Sequence, residues 1–596
     1  MDDNALTQLK FTIKEQHAGD EKQLEVIFSD KERILVEAPA GYGKTTTMIS
    51  RIAYILASGD VPNPKKILAL TFSVNAALKI KRDTAEKLPA LMNVSNNPVS
   101  LSEKILATNY HGFCKSVLSK HGFLLDTNLR RNVNSFKAIG DEKIDDVEGV
   151  SQLIDTDEAN LCKEIEQIVK NGSYPDEDLI EKYLEIVKEK LLPNNTITHN
   201  AVLLLAIKLL EKYPEISKFY RNLYKFIIVD EFQDTNIVAW RLIQCLISNG
   251  TKLLFLGDPL QRIYGFIGAI PNIMELAMDD YKMSKVILTK NYRFKDNVEM
   301  LKLDRNIRIN ASTIMHGEPI GEVAELQGYW GEEQNHEAKL IGEAVGKLIT
   351  NFSGKVAVLC RSRGDNANAI EKELADNGIE YFYGMFTDED EEYVRFHSVC
   401  QEKFLNRFGK KQSINSIQFK KFNDEIKRFF EASTKREVLS LLELLDALGE
   451  KVTNDYSMLS PEDKYILLLD IFENRQLKQS MEYINCNVIL ATIHGAKGLE
   501  WDYVFLPDLE QWVFPGYPTC INCNGKSIST GAKCSFTYSQ NVEKQILEEL
   551  SVFYVGITRA RKQVYVSASG KRANGKTSRY SCFAAMNGVK LVEAKL

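Results

Sequence analysis

No stretch of this 596-residue chain approaches the roughly eighteen consecutive apolar residues that a membrane-spanning helix needs. Neither sign of charge dominates. The 75 Lys and Arg stand against 81 Asp and Glu, a formal net charge of −6, so the whole chain gives no hint of a polyanionic partner. Any such surface has to be a local basic or aromatic groove. The ten cysteines are scattered, which leaves reduced thiols as their simplest state. The acidic Met1-Asp2-Asp3-Asn4 is not followed by an apolar leader segment, so the expected location is cytoplasmic, with no membrane partner. What remains is the balance of an ordinary soluble protein, 26% charged and 44% hydrophobic, in a chain too long for one core.

One stretch organises the rest: Arg33-Ile34-Leu35-Val36-Glu37-Ala38-Pro39-Ala40-Gly41-Tyr42-Gly43-Lys44-Thr45. A short apolar strand runs into a glycine-bearing turn, and a helical pattern from Thr45 to about Ala57 follows. That is the P-loop arrangement, although Ala38 stands where the general pattern has Gly. Gly41 and Gly43 let successive N–H groups turn inward on phosphate oxygens, and the helix adds its positive end. Lys44 is placed to reach the β- and γ-phosphates and Thr45 to bind Mg²⁺. Ala40, Gly41, Gly43, Lys44, Thr45 and Thr46 are therefore the candidate nucleotide contacts.

Strands then alternate with helices, the mark of a parallel α/β sheet. Lys66 to Phe72 and Leu106 to Tyr110 read as strands, each leading into a helix. Lys225 to Val229 runs straight into Asp230 and Glu231, which puts this acidic pair at the carboxyl end of a strand, where ligands of such sheets bind. One carboxylate suits the Mg²⁺ shell and its neighbour the attacking water. Further apolar runs end at Gly257-Asp258 and at Asn291-Tyr292-Arg293, and strands at 356–359 and 488–492 carry the style into the second half.

Two interruptions break the rhythm. Residues 123–200 are acidic and helical in period (Asp145, Asp146, Asp155, Asp157, Glu158, Asp176, Glu177, Asp178), which reads as a solvated face. Residues 384–482 mix bases with aromatics: Phe404, Arg407, Phe408, Lys410, Lys411, Phe419, Lys420, Lys421, Phe422, Lys427, Arg428, Phe429 and Phe430. Two readings fit this stretch, nucleic-acid contact and amphipathic helices with phenylalanines facing a core. The expected layout is 1–122 and 201–284 as a first lobe with 123–200 inserted, and 285–383 and 483–596 as a second lobe with 384–482 inserted.

These motifs, in this order, closely resemble the UvrD/Rep/PcrA-type superfamily 1 DNA helicases. Leu70-Thr71-Phe72, Thr108-Asn109-Tyr110-His111-Gly112-Phe113, Val229-Asp230-Glu231-Phe232-Gln233-Asp234, Gly257 to Ala269, Asn291-Tyr292-Arg293, Thr492 to Trp501 and Tyr554 to Ala560 match successive family elements. The resemblance implies two RecA-like lobes with ATP between them and an ATP- and Mg²⁺-dependent helicase or translocase moving 3′ to 5′ on single-stranded DNA. It gives Gln23 the reading of adenine, Tyr292 a stacking role and Glu500 a nucleotide contact. It implies Thr45 and Asp230 as metal ligands. It implies Lys44, Asp230, Glu231, Gln261, Arg293 and Arg559 as the catalytic set, and Thr71, Phe72, Thr108, His111, Tyr264, Phe266, Thr492 and His494 as the residues expected to face DNA. Ile267 departs from the arginine usual there, and the second insertion is short for the family.

The partners so implied are single-stranded and tailed duplex DNA, in repair, recombination or defence. The alternative is an ATPase subunit that senses DNA ends and regulates a partner nuclease, since no nuclease motif is evident in the second half. Cys520, Cys523 and Cys534 have the start of a zinc spacing, but without a clear second pair reduced thiols are the expectation.

Overall fold

The computed structural model describes residues 3–92, 103–146, 149–265, 268–313, 320–352, 354–387, 390–454, 459–522 and 542–594. Phe266, Ile267, Cys523 and Cys534 lie outside the described residues. The chain divides into two compact units. The first comprises Met1–Lys290, His397–Glu425 and Val452–Gln476, and the second Asn291–Phe396, Ile426–Lys451 and Leu477–Leu596. No helix among the described residues is long and apolar enough to cross a membrane.

In the first unit the strands are β1 (Arg33–Glu37), β2 (Lys66–Thr71), β3 (Ile105–Asn109), β4 (Lys137–Ile139), β5 (Thr196–Thr198), β6 (Tyr224–Asp230), β7 (Lys252–Gly257) and β8 (Ser284–Ile287). Among the described residues six of them form one parallel sheet in the order β3-β2-β6-β7-β1-β8, and β4 pairs with β5 apart from it. Alternate side chains of each strand enter opposite layers. Ile34 and Val36 pack with Val26, Met48 and Ile52 of the helices on one face. Leu35, Leu68 and Leu70 pack with Phe113, Leu205 and Leu242 on the other. Both faces are covered, which is why these strands read as continuous apolar runs. The apolar run near 285, expected to open the second lobe, is instead β8, hydrogen-bonded beside β1. Its composition marks a strand but does not say which sheet it joins.

The acidic insertion owes its charge to helix starts. Asp155 caps the helix Thr156–Lys170 in a capping box with Glu158, and Asp176 caps Glu177–Ile186. Carboxylates there accept the unpaired N–H groups of the first turn and meet the positive helix end. Asp155, Asp157, Asp176, Glu177 and Asp178 are exposed, as a solvated face requires.

The basic and aromatic stretch resolves in favour of helices. Phe404, Phe408, Phe419, Phe422 and Phe430 are buried, and Phe404 stacks on Tyr465 at 5.2 Å. Arg407 and Lys403 pair with Glu425, Lys427 pairs with Asp446, and Lys410, Lys411, Lys420 and Lys421 are exposed. Phe429 alone of these rings is largely exposed. Buried rings cannot stack on bases, so any nucleic-acid contact from this stretch falls to its cations and to Phe429.

The second unit is built on β9 (Ala324–Gly331), β10 (Val356–Cys360), β11 (Phe382–Gly384), β12 (Val488–Thr492), β13 (Trp501–Leu506), β14 (Ala560–Ser569) and β15 (Val589–Glu593). Among the described residues they form one parallel sheet ordered β11-β12-β10-β13-β14-β9-β15. Two parallel sheets with helices around them are the two RecA-like α/β lobes that the sequence indicates.

Candidate functional site

In the first unit the candidate residues gather at the carboxyl ends of β1, β2, β3, β6 and β7, one edge of one sheet. The loop after β1 begins with the Ala38 N–H donating to the Gly257 carbonyl at 2.9 Å, which ties it to β7. Gly41 and Gly43 sit at φ 82° and 80°, the left-handed region that a side chain disfavours, and Gly43 opens the helix Lys44–Ala57. Ala40 is buried, and Thr45 and Thr46 are half-buried at the helix start.

Lys44 donates to Glu231 and lies 3.3 Å from Asp230. Burial alone would lower the Lys44 pKa, but the two carboxylates outweigh it and hold the ammonium above its ordinary value. Burial, with Glu231 adjacent, pushes Asp230 up against the pull of Lys44. Glu231 has φ 51°, a strained conformation for a residue with a side chain. Its carboxylate accepts from Gln233 Nε2 at 2.6 Å, Gln233 Oε1 accepts the Asp258 N–H at 3.1 Å, and Asp258 accepts from Gln261 Nε2 at 2.8 Å. A chain of hydrogen bonds, passing through the Asp258 backbone N–H, thus runs from Lys44 to Gln261. Gln233 and Asp258 stand inside the motifs already quoted, yet nothing in their spacing signals this bridging.

Gln23 is buried on the helix Glu21–Phe28, where Nε2 donates to the Tyr42 carbonyl at 2.9 Å and Oε1 meets His17 Nδ1. Among the residues expected to face DNA, Phe72 and Tyr264 are half-buried and lie together, rings 5.4 Å apart and tilted by 30°. Thr71 is fully buried with its hydroxyl unpartnered, so the strand end presents Phe72 rather than Thr71. Thr108 is half-buried, and His111 lies edge-on to His199 at 5.4 Å. Burial, with the mutual proximity of the rings and of Lys115, lowers His111 to about 3, and burial with Lys115 and Arg475 does the same to His199. His111 is therefore a neutral ring at physiological pH.

Asp470, on the helix Pro461–Glu473, lines a groove with Lys81, Thr108, Asn109 and Asp463. Burial pushes its carboxyl up to about 7, with Lys115 and Lys81 lowering it and Glu473 raising it. The folded value exceeds the unfolded one, so from about pH 4 to 7 the native state binds more protons, and stability falls as pH rises. Asp470→Asn removes that slope. Its gain in stability should be small near about pH 4.5 and largest near about pH 8, on the order of 2–4 kcal/mol, read as a rise in melting temperature. Thermal melts of both proteins across that range check it, and a gain independent of pH would contradict the assignment.

In the second unit Arg293 donates to Glu500 and to the Thr558 carbonyl. Asn291 shapes that turn, accepting the Arg293 N–H at 2.9 Å and donating to Asp304 at 3.2 Å, and Tyr554 donates to Asp304 at 2.7 Å. Asp304, which no sequence signal picks out, thereby joins the two arginine-bearing motifs. Arg559 is buried and donates to the Val555 carbonyl (3.0 Å), the Leu499 carbonyl (3.2 Å) and the Thr558 hydroxyl (3.1 Å). Glu500 and Arg559 precede β13 and β14, the amino edge of their sheet. Thr492 ends β12 at the opposite edge, buried, its hydroxyl accepting the Gly495 N–H at 3.1 Å, with the half-buried His494 just beyond. Tyr292 is half-buried beside Arg293.

Elsewhere in that unit Glu337, Asp508 and Glu510 bring buried carboxylates within 4.8 Å of one another. Asn366, Ser567, Ser569 and Ser578 donate to them, and Arg572 lies 3.5 Å from Glu510. They make a hydrogen-bonded network around β13 and β14. The Cys520 thiol donates to the Pro515 carbonyl at 3.2 Å.

Comparison with known proteins places this geometry. Residues 20–282 match the UvrD/REP helicase N-terminal domain and residues 391–571 the UvrD-like helicase C-terminal domain. The chain is 25% identical to a probable DNA helicase II homologue of Rickettsia felis over 93% of each chain. It is 24% identical to the ATP-dependent DNA helicase PcrA of Bacillus subtilis, over 92% of this chain and 82% of that one. Ordered motifs, two parallel-sheet lobes and family matches over both agree: the chain belongs to the UvrD/Rep/PcrA-type superfamily 1 helicases, ATP-dependent DNA helicases.

Proposed function

We propose that this helicase holds ATP and Mg²⁺ through its first unit and moves 3′ to 5′ along single-stranded DNA. The observation that carries the reading is the meeting of Lys44, Asp230 and Glu231 at one sheet edge, linked through Gln233 and Asp258 to Gln261. The donor set fits the cofactors. Left-handed glycines turn loop N–H groups toward a phosphate, and the Thr45 hydroxyl and Asp230 carboxylate are the hard oxygen donors that Mg²⁺ takes. When bound, Mg²⁺ supplies positive charge across the phosphate oxygens.

The residues then divide the work. Lys44 exchanges its carboxylate partners for phosphate oxygens. Glu231, released from Lys44 and still held by Gln233, orients a water and takes its proton. Asp258 fixes Gln261 for sensing the γ-phosphate. Arg293 and Arg559 are the arginines to which the motif resemblance gives the stabilisation of developing charge.

Phe72 and Tyr264 stack on bases in this reading, which is sequence-tolerant because every base has a π-face. Alanine at either position should cost about 1–3 kcal/mol, roughly 5- to 150-fold in single-strand affinity by fluorescence anisotropy at fixed salt. Unchanged affinity in both variants would remove them from the DNA path. Direction is tested with duplexes carrying one tail. Unwinding from a 3′ tail alone is expected, and unwinding from a 5′ tail alone contradicts it.

A further inference from the structure

His17 follows the helix Asp3–Gln16 and is buried, with Nδ1 against Gln23 Oε1 and Nε2 2.8 Å from Ser50 Oγ on the P-loop helix. The polarity of this chain of groups is determined by one atom. The Tyr42 carbonyl can only accept, so the Gln23 amide turns its NH₂ toward it and its Oε1 toward His17. His17 Nδ1 must then carry the hydrogen, and in the neutral ring Nε2 accepts from the Ser50 hydroxyl. Burial lowers the His17 pKa, against smaller opposing contributions from Gln23 and Asp20, which favours that neutral form.

With those two bonds made, the Gln23 amide retains one N–H and one oxygen lone pair. They are the complement of adenine N7 and its N6 amino group. A reversed amide would offer the opposite polarity. We propose that His17 is a positioning residue for base selection, locking the Gln23 amide in the orientation that matches adenine through a relay anchored on Ser50. The N-terminal helix, through the turn at its end, becomes part of the nucleotide site. Leu9 and Ile13 anchor that helix in the same core as Met48 and Ile52 of the P-loop helix, so the turn is held in register with the loop. This inference rests on the assignment of Gln23 to the base.

The test compares ATP and GTP turnover by the full chain at saturating single-stranded oligonucleotide. His17→Leu is expected to raise KM for ATP about tenfold, within the range of one bidentate base contact, with little change in KM for GTP or in kcat. His17→Asn keeps an N–H donor near the Nδ1 position and should recover most of the loss. His17→Gln places its amide near the Nε2 position and should behave like the leucine variant. Gln23→Ala separates the two levels. If it loses the ATP preference while His17→Leu retains it, the positioning role is overturned. If Gln23→Ala itself leaves the preference intact, the base assignment beneath it fails. Should His17→Leu not fold, the Asn and Gln variants carry the comparison, and equal KM values for ATP in those two would overturn the proposal.

Discussion

Lys44→Ala should lower ATP turnover by about 10²–10³-fold or more, the cost of removing one preorganised charge from a phosphate-transfer site. In this structure Lys44 is also the cation that compensates the buried Asp230 and Glu231. Breaking a buried pair leaves its carboxylates without a partner, which costs several kcal/mol if both stay ionised. Asp230 already sits above its ordinary value through burial, so without Lys44 it takes up a proton more readily. Its folded value then lies further above the unfolded one, and the variant loses stability as pH rises through that window. The stability deficit should therefore be larger near about pH 8 than near about pH 6, whereas the loss of turnover persists at both. Steady-state ATPase and thermal melts at the two pH values separate catalytic from structural loss.

On the roles that the motif resemblance gives them, Arg293→Ala and Arg559→Ala should each reduce kcat by about 10³–10⁵-fold, the contribution such an arginine makes to phosphoryl transfer. They should differ in stability. Arg559 is buried and donates to the Val555 and Leu499 carbonyls; Val555 keeps the Thr558 hydroxyl at 3.0 Å, but the Leu499 carbonyl loses its side-chain donor, at about 1–3 kcal/mol. Arg293 is less enclosed, and its partner Glu500 keeps Arg561, with Nε at 3.3 Å. The expected pattern is a clear fall in melting temperature for Arg559→Ala and a small one for Arg293→Ala. Equal melting temperatures would show that Arg559 does not hold its unit together as the hydrogen bonds indicate.

Much of the candidate site, the meeting of Lys44 with Asp230 and Glu231, was legible in the sequence because phosphate chemistry needs fixed residue types at fixed spacing. A glycine turn before Lys44 and a carboxylate pair after an apolar run have few other physical uses together. What escaped were the residues that act through others. Asp304 stands in an ordinary helical pattern, and its links to Asn291 and Tyr554 come from the tertiary fold. His17 stands six residues before Gln23, and only packing turns that ring onto the amide. The run of bases and phenylalanines at 404–430 was compatible with two arrangements, and burial selects one. The strands β9 and β15 were not singled out in the sequence. Ala-Glu-Leu-Gln-Gly-Tyr-Trp-Gly of β9 alternates buried with more exposed positions and lacks the apolar run of a central strand.

The most direct measurement combines ATP turnover and strand separation in one reaction, with single-stranded DNA, 3′-tailed and 5′-tailed duplexes, and Lys44→Ala as the control. ATP hydrolysis stimulated by single strands, unwinding from the 3′ tail, and loss of both in Lys44→Ala are the results predicted. ATP hydrolysis indifferent to single-stranded DNA, with neither duplex opened, would contradict the account.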